Sequence, residues 1–145
     1  MHIRIAGSLA ALLLIANAGC LSELTDPLGR RSALKEAQLK YTQAIRWGNL
    51  DRASEFVDPE LRATFLSFAE EFATIRITDY DIGSIHYESK DRADVTVTYH
   101  AYNMGTFIDR SVREEQRWHR EGAGTRWWVN PEIETLVGAL GVSAQ

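Results

Sequence analysis

The sequence predicts an α+β fold, in which N-terminal helices pack on a curved, four-stranded antiparallel sheet. Two patterns along the chain support this prediction. Apolar residues recur at three- and four-residue steps as far as Phe72, which is helical spacing. From Ile75 onward apolar and polar residues alternate, which is typical of half-buried strands. Glycine-containing turns at 103–105 and 122–124 separate the later strands, so helices and strands occupy different parts of the chain.

Three helices are expected before the sheet. The first runs from Ser32, its expected N-cap, to a stop at Gly48. A short second helix follows at about 50–57. The third is expected to begin at Asp58, as an N-cap ahead of a proline, and to carry an apolar stripe to Phe72. This stripe predicts that one face of the third helix packs beneath the sheet.

Four strands are expected after these helices. The first is long and bent, with a bulge at Gly83 and Ser84. The second alternates over 93–101, the third over 106–120 and the fourth over 125–129. The turns between them are short, which predicts an antiparallel order in which consecutive strands are neighbours.

A last short helix is expected after Pro131, with one apolar stripe formed by Ile133, Leu136, Val137 and Leu140. A helix of this length is marginal in water by itself, so it must dock on something. It either folds back over the open end of the domain or binds a partner or a second copy. Folding back is favoured, because a free apolar stripe would promote aggregation.

The first 20 residues have the features of an export signal. Arg4 supplies a positive charge, and the apolar run 5–15 is shorter than the ~20 residues that a membrane-spanning helix needs. Ala18 and Gly19 precede Cys20, the one cysteine of the chain. The segment resembles a bacterial lipoprotein signal, which implies that Cys20 carries a diacylglycerol and becomes the N-terminus. An ordinary secretory signal with a coincidental cysteine is the alternative.

The lipoprotein resemblance sets the expected domain organisation and address. Residues 1–19 are the signal peptide, 20–31 the lipidated cysteine and a tether, and 32–145 one α+β domain. The expected membrane partner is reached through the N-terminal lipid. Leu21 stands where the resemblance implies that an aspartate would retain a lipoprotein at the inner membrane. We therefore expect the periplasmic face of the outer membrane.

Charge and histidine spacing argue against several classes of function. The formal net charge is -4, which is unlike the basic surface of a nucleic-acid-binding protein. His86, His100 and His119 are isolated from one another in the sequence, so no metal site is expected. No cofactor is expected either, and no set of catalytic residues is recognised.

One segment and one hairpin resemble the nuclear-transport-factor-2-like superfamily, whose domains are cone-shaped. The segment is 41–57, with an aromatic residue, Ala-Ile, Gly-Asn, Asp and Phe at that superfamily's spacing. The hairpin joins Trp118 to the Trp127-Trp128 pair. The resemblance covers about residues 33–130 and implies the cone-shaped fold. It does not carry over any catalytic residue, because the superfamily's catalytic pairs have no match here.

Polar residues of the third strand are the candidates for a ligand cavity. Arg110, Glu114 and Gln116 share the parity of Val112 and Trp118, so they would face the inside of the cone. With Trp118 and with Tyr99 of the second strand, they form the candidate cavity set: Tyr99, Arg110, Glu114, Gln116 and Trp118. Polar side chains in such a cavity would orient a small molecule of unknown identity. The alternative is a solvated sheet face with cross-strand ion pairs.

The outer face of the sheet is the second candidate surface. Alternation sends Trp127 and Trp128 to opposite faces, so one of them covers the outer face or contacts a partner or a second copy. The expected function is that of a non-catalytic binding or assembly module, tethered in the cell envelope by lipid. The alternative is a small-molecule binder or enzyme that uses the cone cavity.

Overall fold

The computed structural model describes residues 26 and 28–141. The elements are α1 (Arg30–Arg46), α2 (Leu50–Ser54), α3 (Arg62–Ser67), α4 (Ala69–Phe72), β1 (Ile75–Tyr87), β2 (Arg92–Asn103), β3 (Asp109–His119), β4 (Trp128–Asn130) and α5 (Ile133–Leu140). The four strands form one antiparallel sheet in the order β1-β2-β3-β4. The predicted α+β class and strand order are confirmed. Within the described residues, no helix combines the length and apolar composition that crossing a membrane requires.

The first helix begins two residues earlier than predicted, and its cap is different. The Asp26 carboxylate accepts hydrogen bonds from the backbone N–H groups of Arg30 at 2.9 Å and Arg31 at 2.7 Å. The prediction of Ser32 as N-cap is therefore wrong, because an upstream aspartate already satisfies the free N–H groups of the first turn. Gly48, with φ 71°, follows the last turn as predicted, in a conformation that glycine adopts without strain.

The predicted third helix is two short helices that meet at Phe68. Asp58 does not cap a helix; its Oδ1 accepts from the backbone N–H of Glu60 at 2.9 Å and so closes a turn. The backbone of Phe68, at φ -84° and ψ 4°, ends α3 and begins α4. As a result Phe65 and Phe72 are buried, whereas Phe68 is half-buried against the core.

The sheet has the predicted bulge and one irregularity that was not predicted. The β1–β2 register shifts between Ile82 and Ile85, which places the bulge at Gly83 and Ser84. A side chain at Gly83 would come within 3.1 Å of the Thr96 carbonyl oxygen, so this close approach favours glycine. A second register shift lies between residues 77 and 79. β4 is shorter than predicted.

The last helix folds back on the sheet, as predicted. α5 packs against β2 and β3 and buries all four residues of its apolar stripe: Ile133, Leu136, Val137 and Leu140. The other side of the core is formed by α1, from which Leu34, Tyr41 and Ile45 are fully buried. The interior of the cone is thus enclosed by the sheet, α1 and α5.

Candidate functional site

Glu114 lies at the centre of the enclosed interior and has no solvent exposure. Its Oε1 accepts a hydrogen bond from the Tyr41 hydroxyl at 3.2 Å. Its Oε2 accepts from the Tyr99 hydroxyl at 3.0 Å and from Gln116 Nε2 at 2.9 Å. A buried carboxylate needs such donors, because burial without them would be far more costly. Both oxygens of this carboxylate therefore have protein partners.

Further hydrogen bonds connect Gln116, the neighbour of Glu114 on β3, to helix α1 and to Trp118. Gln116 Oε1 accepts from Trp118 Nε1 at 3.2 Å and from Gln38 Nε2 at 3.3 Å. Thr42 Oγ1 lies 3.0 Å from Gln38 Nε2 and 3.3 Å from Gln116 Nε2. We call this set the interior network: Gln38, Tyr41, Thr42, Tyr99, Glu114, Gln116 and Trp118. The network joins α1 to the sheet, because its side chains donate hydrogen bonds to and accept them from one another.

Local sequence periodicity places the members of this network side by side. On α1, Gln38, Tyr41 and Thr42 are three and four residues apart, so they share one face of the helix. On β3, Glu114 and Gln116 are two apart and point to the same side of the sheet. Their cross-strand neighbours on β2 are valines, at 97 and 95 respectively.

Burial perturbs the acidity of the titratable groups in the network. Burial raises the pKa of Glu114 above the ordinary range for glutamate, and the hydrogen bonds from Gln116, Tyr99 and Tyr41 act in the opposite direction. Burial also raises the pKa of Tyr41 and Tyr99 well above the usual tyrosine value, and the neighbouring Glu114 carboxylate adds to this effect. Both hydroxyls therefore stay protonated and act as donors.

Four of the five predicted cavity residues come together, and one does not. Tyr99, Glu114, Gln116 and Trp118 are buried neighbours in the interior network. Arg110 shares their strand parity, but its side chain is exposed at the start of β3. There Arg110 lines a small surface concavity beside Leu140 and Gly141 at the end of α5, so inward parity does not bring burial. The placement of Arg110 inside the cone is therefore corrected.

Sequence reasoning missed the contribution of α1 to the site. Tyr41 stood out only as the aromatic residue that begins the segment 41–57, and Gln38 and Thr42 were not singled out. The available signal was their polarity at positions that share a face with Leu34 and Ile45. A polar side chain on the buried face of a helix requires a buried partner, and β3 supplies it.

The main concave surfaces of the described chain do not open onto Glu114. None of the five best-defined concavities over residues 26 and 28–141 is lined by Tyr99, Glu114 or Gln116, although Trp118 lines one of them. The largest, of about 820 Å³, opens on the outer face at the ends of β2 and β3. We call it the outer groove. Its charged lining consists of Asp58, Glu88, Asp91, Arg92, Asp94, Glu115, Arg117, His119, Arg120, Glu121 and Glu132.

Carboxylates outnumber arginines in the outer groove, and several pairs are formed within it. His119 Nε2 lies 3.0 Å from Asp58 Oδ2, and Arg117 Nη2 lies 2.7 Å from Glu132 Oε1. Arg120 is buried and pairs with Asp91. Within the described part of the chain, no ion pair forms at the carboxylates of Glu88, Asp94 and Glu121, so the groove has acidic groups available to a partner.

The two neighbouring tryptophans occupy opposite faces, as alternation predicted. Trp127 is buried, and its Nε1 donates to the Arg30 carbonyl oxygen at 2.8 Å. Trp128 is half-buried on the outer face, where the guanidinium groups of Arg62 and Arg126 lie 5.2 and 4.1 Å from its ring centroid. Intramolecular contacts thus cover part of the outward tryptophan.

The histidines of the described chain do not converge. His100 contacts Asp81 at 3.0 Å and Ser111 at 2.9 Å, whereas His119 contacts Asp58. Among residues 26 and 28–141, no group of three His, Cys, Asp or Glu residues is arranged to hold a metal ion.

No family model matches the chain, and no curated protein matches it. Solved structures with a similar fold include a ketosteroid isomerase-like protein from Erwinia carotovora atroseptica SCRI1043. Its sequence is 17% identical to this one, and the TM-score is 0.50. The similarity covers 68% of this chain and 88% of the Erwinia chain. An NTF-2 like protein of unknown function from Shewanella oneidensis MR-1 is 12% identical, with a TM-score of 0.48. The similarity covers 68% of this chain and 93% of the Shewanella chain.

The chain has the nuclear-transport-factor-2-like fold. The similarity to the Erwinia structure, together with the helices packed on a four-stranded antiparallel sheet, confirms this prediction. At 17% identity the similarity concerns the fold alone. The activity of this domain must therefore be argued from its own surfaces.

Proposed function

We propose that this chain is a lipid-anchored protein of the cell envelope whose domain is a non-catalytic binding module. In this proposal the anchor is Cys20, which lies outside the described residues. The binding surface is the outer groove, and the partner is a protein surface that presents basic side chains.

The closed interior network is the observation that favours this function over an enzyme. A catalytic acid or base must reach a substrate in a cleft. Glu114 is fully buried, and its oxygens already accept hydrogen bonds from Tyr41, Tyr99 and Gln116. A substrate could reach it only if α1 or α5 moved. The outer groove, in contrast, is open and has carboxylates that can pair with a basic partner.

Cross-linking in the envelope tests the binding surface. A photoactivatable residue in place of Asp94, within the groove, is expected to form a covalent adduct with the partner. The same residue in place of the exposed Glu70 on α4 is the control and should form none. Converting Glu88 and Asp94 to lysine should abolish the adduct formed from a probe at Glu121. Adducts from Glu70 as strong as those from Asp94, or adducts that survive the charge reversal, would contradict the proposal.

The mass of the adduct identifies the class of partner. Twice the mass of the chain would identify a second copy bound through the outer sheet face. Any other mass would identify a different protein, which can then be tested for basic residues at the cross-linked position.

Replacing Cys20 with alanine tests the anchor. The variant is expected to lose incorporation of labelled palmitate completely and to move from the membrane to the soluble fraction, because the thiol is the only site of acylation in the proposal. Substituting the neighbouring Ser22 with alanine is the matched control and should change neither result. A Cys20→Ala protein that still carries labelled lipid and still sediments with membranes would refute the anchor.

A small-molecule function inside the cone is the second candidate. The observation that favours it is a buried carboxyl with a raised pKa beside two tyrosine hydroxyls, because perturbed groups cluster at functional sites. For this candidate a ligand must displace part of the interior network. Ligand-induced stabilisation that the Glu114→Gln variant loses, while it keeps its own fold, would favour this candidate over the first.

A further inference from the structure

A basic and partly apolar surface surrounds the point where the described chain begins. A concavity of about 410 Å³ there is lined by Leu28, Arg30, Arg31, Tyr87 and Lys90, together with Asp26, Ser89 and Trp127. We call this surface the tether-side patch. It carries three cationic side chains and one carboxylate, in a chain whose net charge is -4. The local charge is thus opposite in sign to that of the whole chain.

Contacts within the patch hold its charged groups in place. The guanidinium of Arg31 lies 4.7 Å from the centroid of the Tyr87 ring. Trp127 Nε1 donates to the carbonyl oxygen of Arg30 and fixes the start of α1 against the sheet. The carboxylate of Asp26 accepts from backbone N–H groups, so it is held at the helix start rather than paired with a side chain. The side chains of Arg31 and Lys90 are exposed.

The chain between the proposed anchor and the patch is short. Residues 21–25 separate Cys20 from Asp26. At roughly 3.3–3.6 Å per fully extended residue, these six steps span about 20 Å at most. If Cys20 carries the lipid, the patch is therefore held within about 20 Å of the membrane surface. The inference rests on the anchor of the proposed function.

We infer that the tether-side patch binds the phosphate groups of anionic phospholipids in the anchoring membrane. Arg31 and Lys90 supply the cations, which attract an anionic surface over about one Debye length, roughly 8–10 Å. Leu28, 58% exposed, and the ring of Tyr87 supply apolar surface at headgroup level.

The outer groove adjoins the patch at the β1–β2 turn and has the opposite charge. Glu88 and Asp91 flank Ser89 and Lys90 in the β1–β2 turn and line the outer groove, where Asp91 is paired with Arg120. An anionic surface repels these carboxylates while it attracts the patch. The domain therefore rests on the membrane with Arg31 and Lys90 toward the lipid, and the groove begins at the edge of this contact.

Depth measurements on the lipidated protein test this inference. The mature chain is purified from membranes and reconstituted in vesicles of phosphatidylcholine, with or without phosphatidylglycerol. A single new cysteine carries a fluorophore, either at Ser89 in the patch or at Thr106 in the turn after β2, which lies at the other end of that strand. Lipids with a quencher on the headgroup then report how close each label lies to the membrane.

The label at Ser89 is expected to be quenched at least twofold more when phosphatidylglycerol is present, and high salt should remove the difference. The label at Thr106 should show no such difference. The Arg31→Glu and Lys90→Glu double variant should lose the response at Ser89. The control with an equal charge change, Arg52→Glu with Arg76→Glu, should keep it. Melting temperatures of both double variants check that the fold is kept.

Flotation of the same vesicles distinguishes failure of the patch from failure of the anchor. A protein that floats with both vesicle types but is quenched equally in both would overturn the patch alone. A protein that floats only when phosphatidylglycerol is present would overturn the anchor and support the patch. A protein that floats with neither would overturn both.

Discussion

Deleting residues 132–145 is expected to unfold the domain at room temperature. The deletion removes α5, whose stripe of Ile133, Leu136, Val137 and Leu140 is buried against β2 and β3. Full burial of each such side chain contributes about 1.5–3 kcal/mol, so the four together contribute about 6–12 kcal/mol. Domains of this size are typically stable by only about 5–15 kcal/mol. Losing the helix also exposes the apolar inner face of the sheet to water.

Circular dichroism and binding of an apolar reporter dye measure this effect. Leu136→Ala, which keeps the helix, should lower the free energy of unfolding by about 2–5 kcal/mol in urea. Thr135→Ala, at the exposed neighbouring position, is the control and should leave the unfolding midpoint unchanged. A truncated protein that melts as the full chain does would show that α5 contributes nothing to the core.

Side-chain periodicity predicted the sheet and the sides of its strands well. Alternation over Ala93 to Ala101 is a local property, and the structure buries each of the predicted residues. The bulge at Gly83 could be predicted because glycine interrupts an otherwise regular strand. The irregularity between residues 77 and 79 has no such signal, since ordinary residues flank it.

Helix ends were predicted less well, because they depend on contacts that the local sequence does not specify. Ser32 is a residue type that often caps helices, but the carboxylate of Asp26 accepts the hydrogen bonds from the N–H groups of the first turn. The apolar stripe from Phe65 to Phe72 is compatible with one helix. The helix is interrupted at Phe68, and apolar residues of α3 and of α4 are still buried in the core.

Parity predicted which residues face inward, but not whether they enclose a cavity. Glu114 and Gln116 are inside, as predicted, and side chains from α1 fill the space around them. Tyr41 meets Glu114 across 73 positions of sequence, and Gln38 meets Gln116 across 78. Such pairing depends on how α1 lies on the sheet. The exposure of Arg110 likewise depends on where the covering helices end.

Replacing Glu114 with alanine is expected to cost about 2–5 kcal/mol of stability. The substitution leaves a cavity in the core, and it leaves the hydroxyls of Tyr41 and Tyr99 without their carboxylate acceptor. Glu114→Gln should be far milder. Its amide oxygen can accept from Tyr99 and Gln116, and its NH₂ group can donate to the Tyr41 hydroxyl oxygen.

The two proteins, wild type and Glu114→Gln, should also differ in how stability depends on pH. Burial raises the pKa of Glu114 in the folded chain above its value in the unfolded chain, so the folded chain holds this proton more tightly. The stability that this group contributes is complete below the ordinary glutamate pKa, about 4.3. It is lost as the pH rises through the raised pKa of the folded chain.

The difference between the two unfolding curves isolates this contribution from that of the other carboxylates. As the pH rises from about 4 toward neutrality, wild-type stability should fall relative to that of Glu114→Gln, because the variant has no proton to lose at this position. Urea titrations of both proteins at several pH values measure the difference directly. Glu70→Gln, on the exposed surface of α4, is the control, because it removes a carboxylate that is not part of the interior network. Parallel curves for wild type and Glu114→Gln would mean that Glu114 titrates alike in the folded and unfolded chain. The hydrogen bonds from Gln116, Tyr99 and Tyr41 would then offset the effect of burial, and the raised pKa would be overturned.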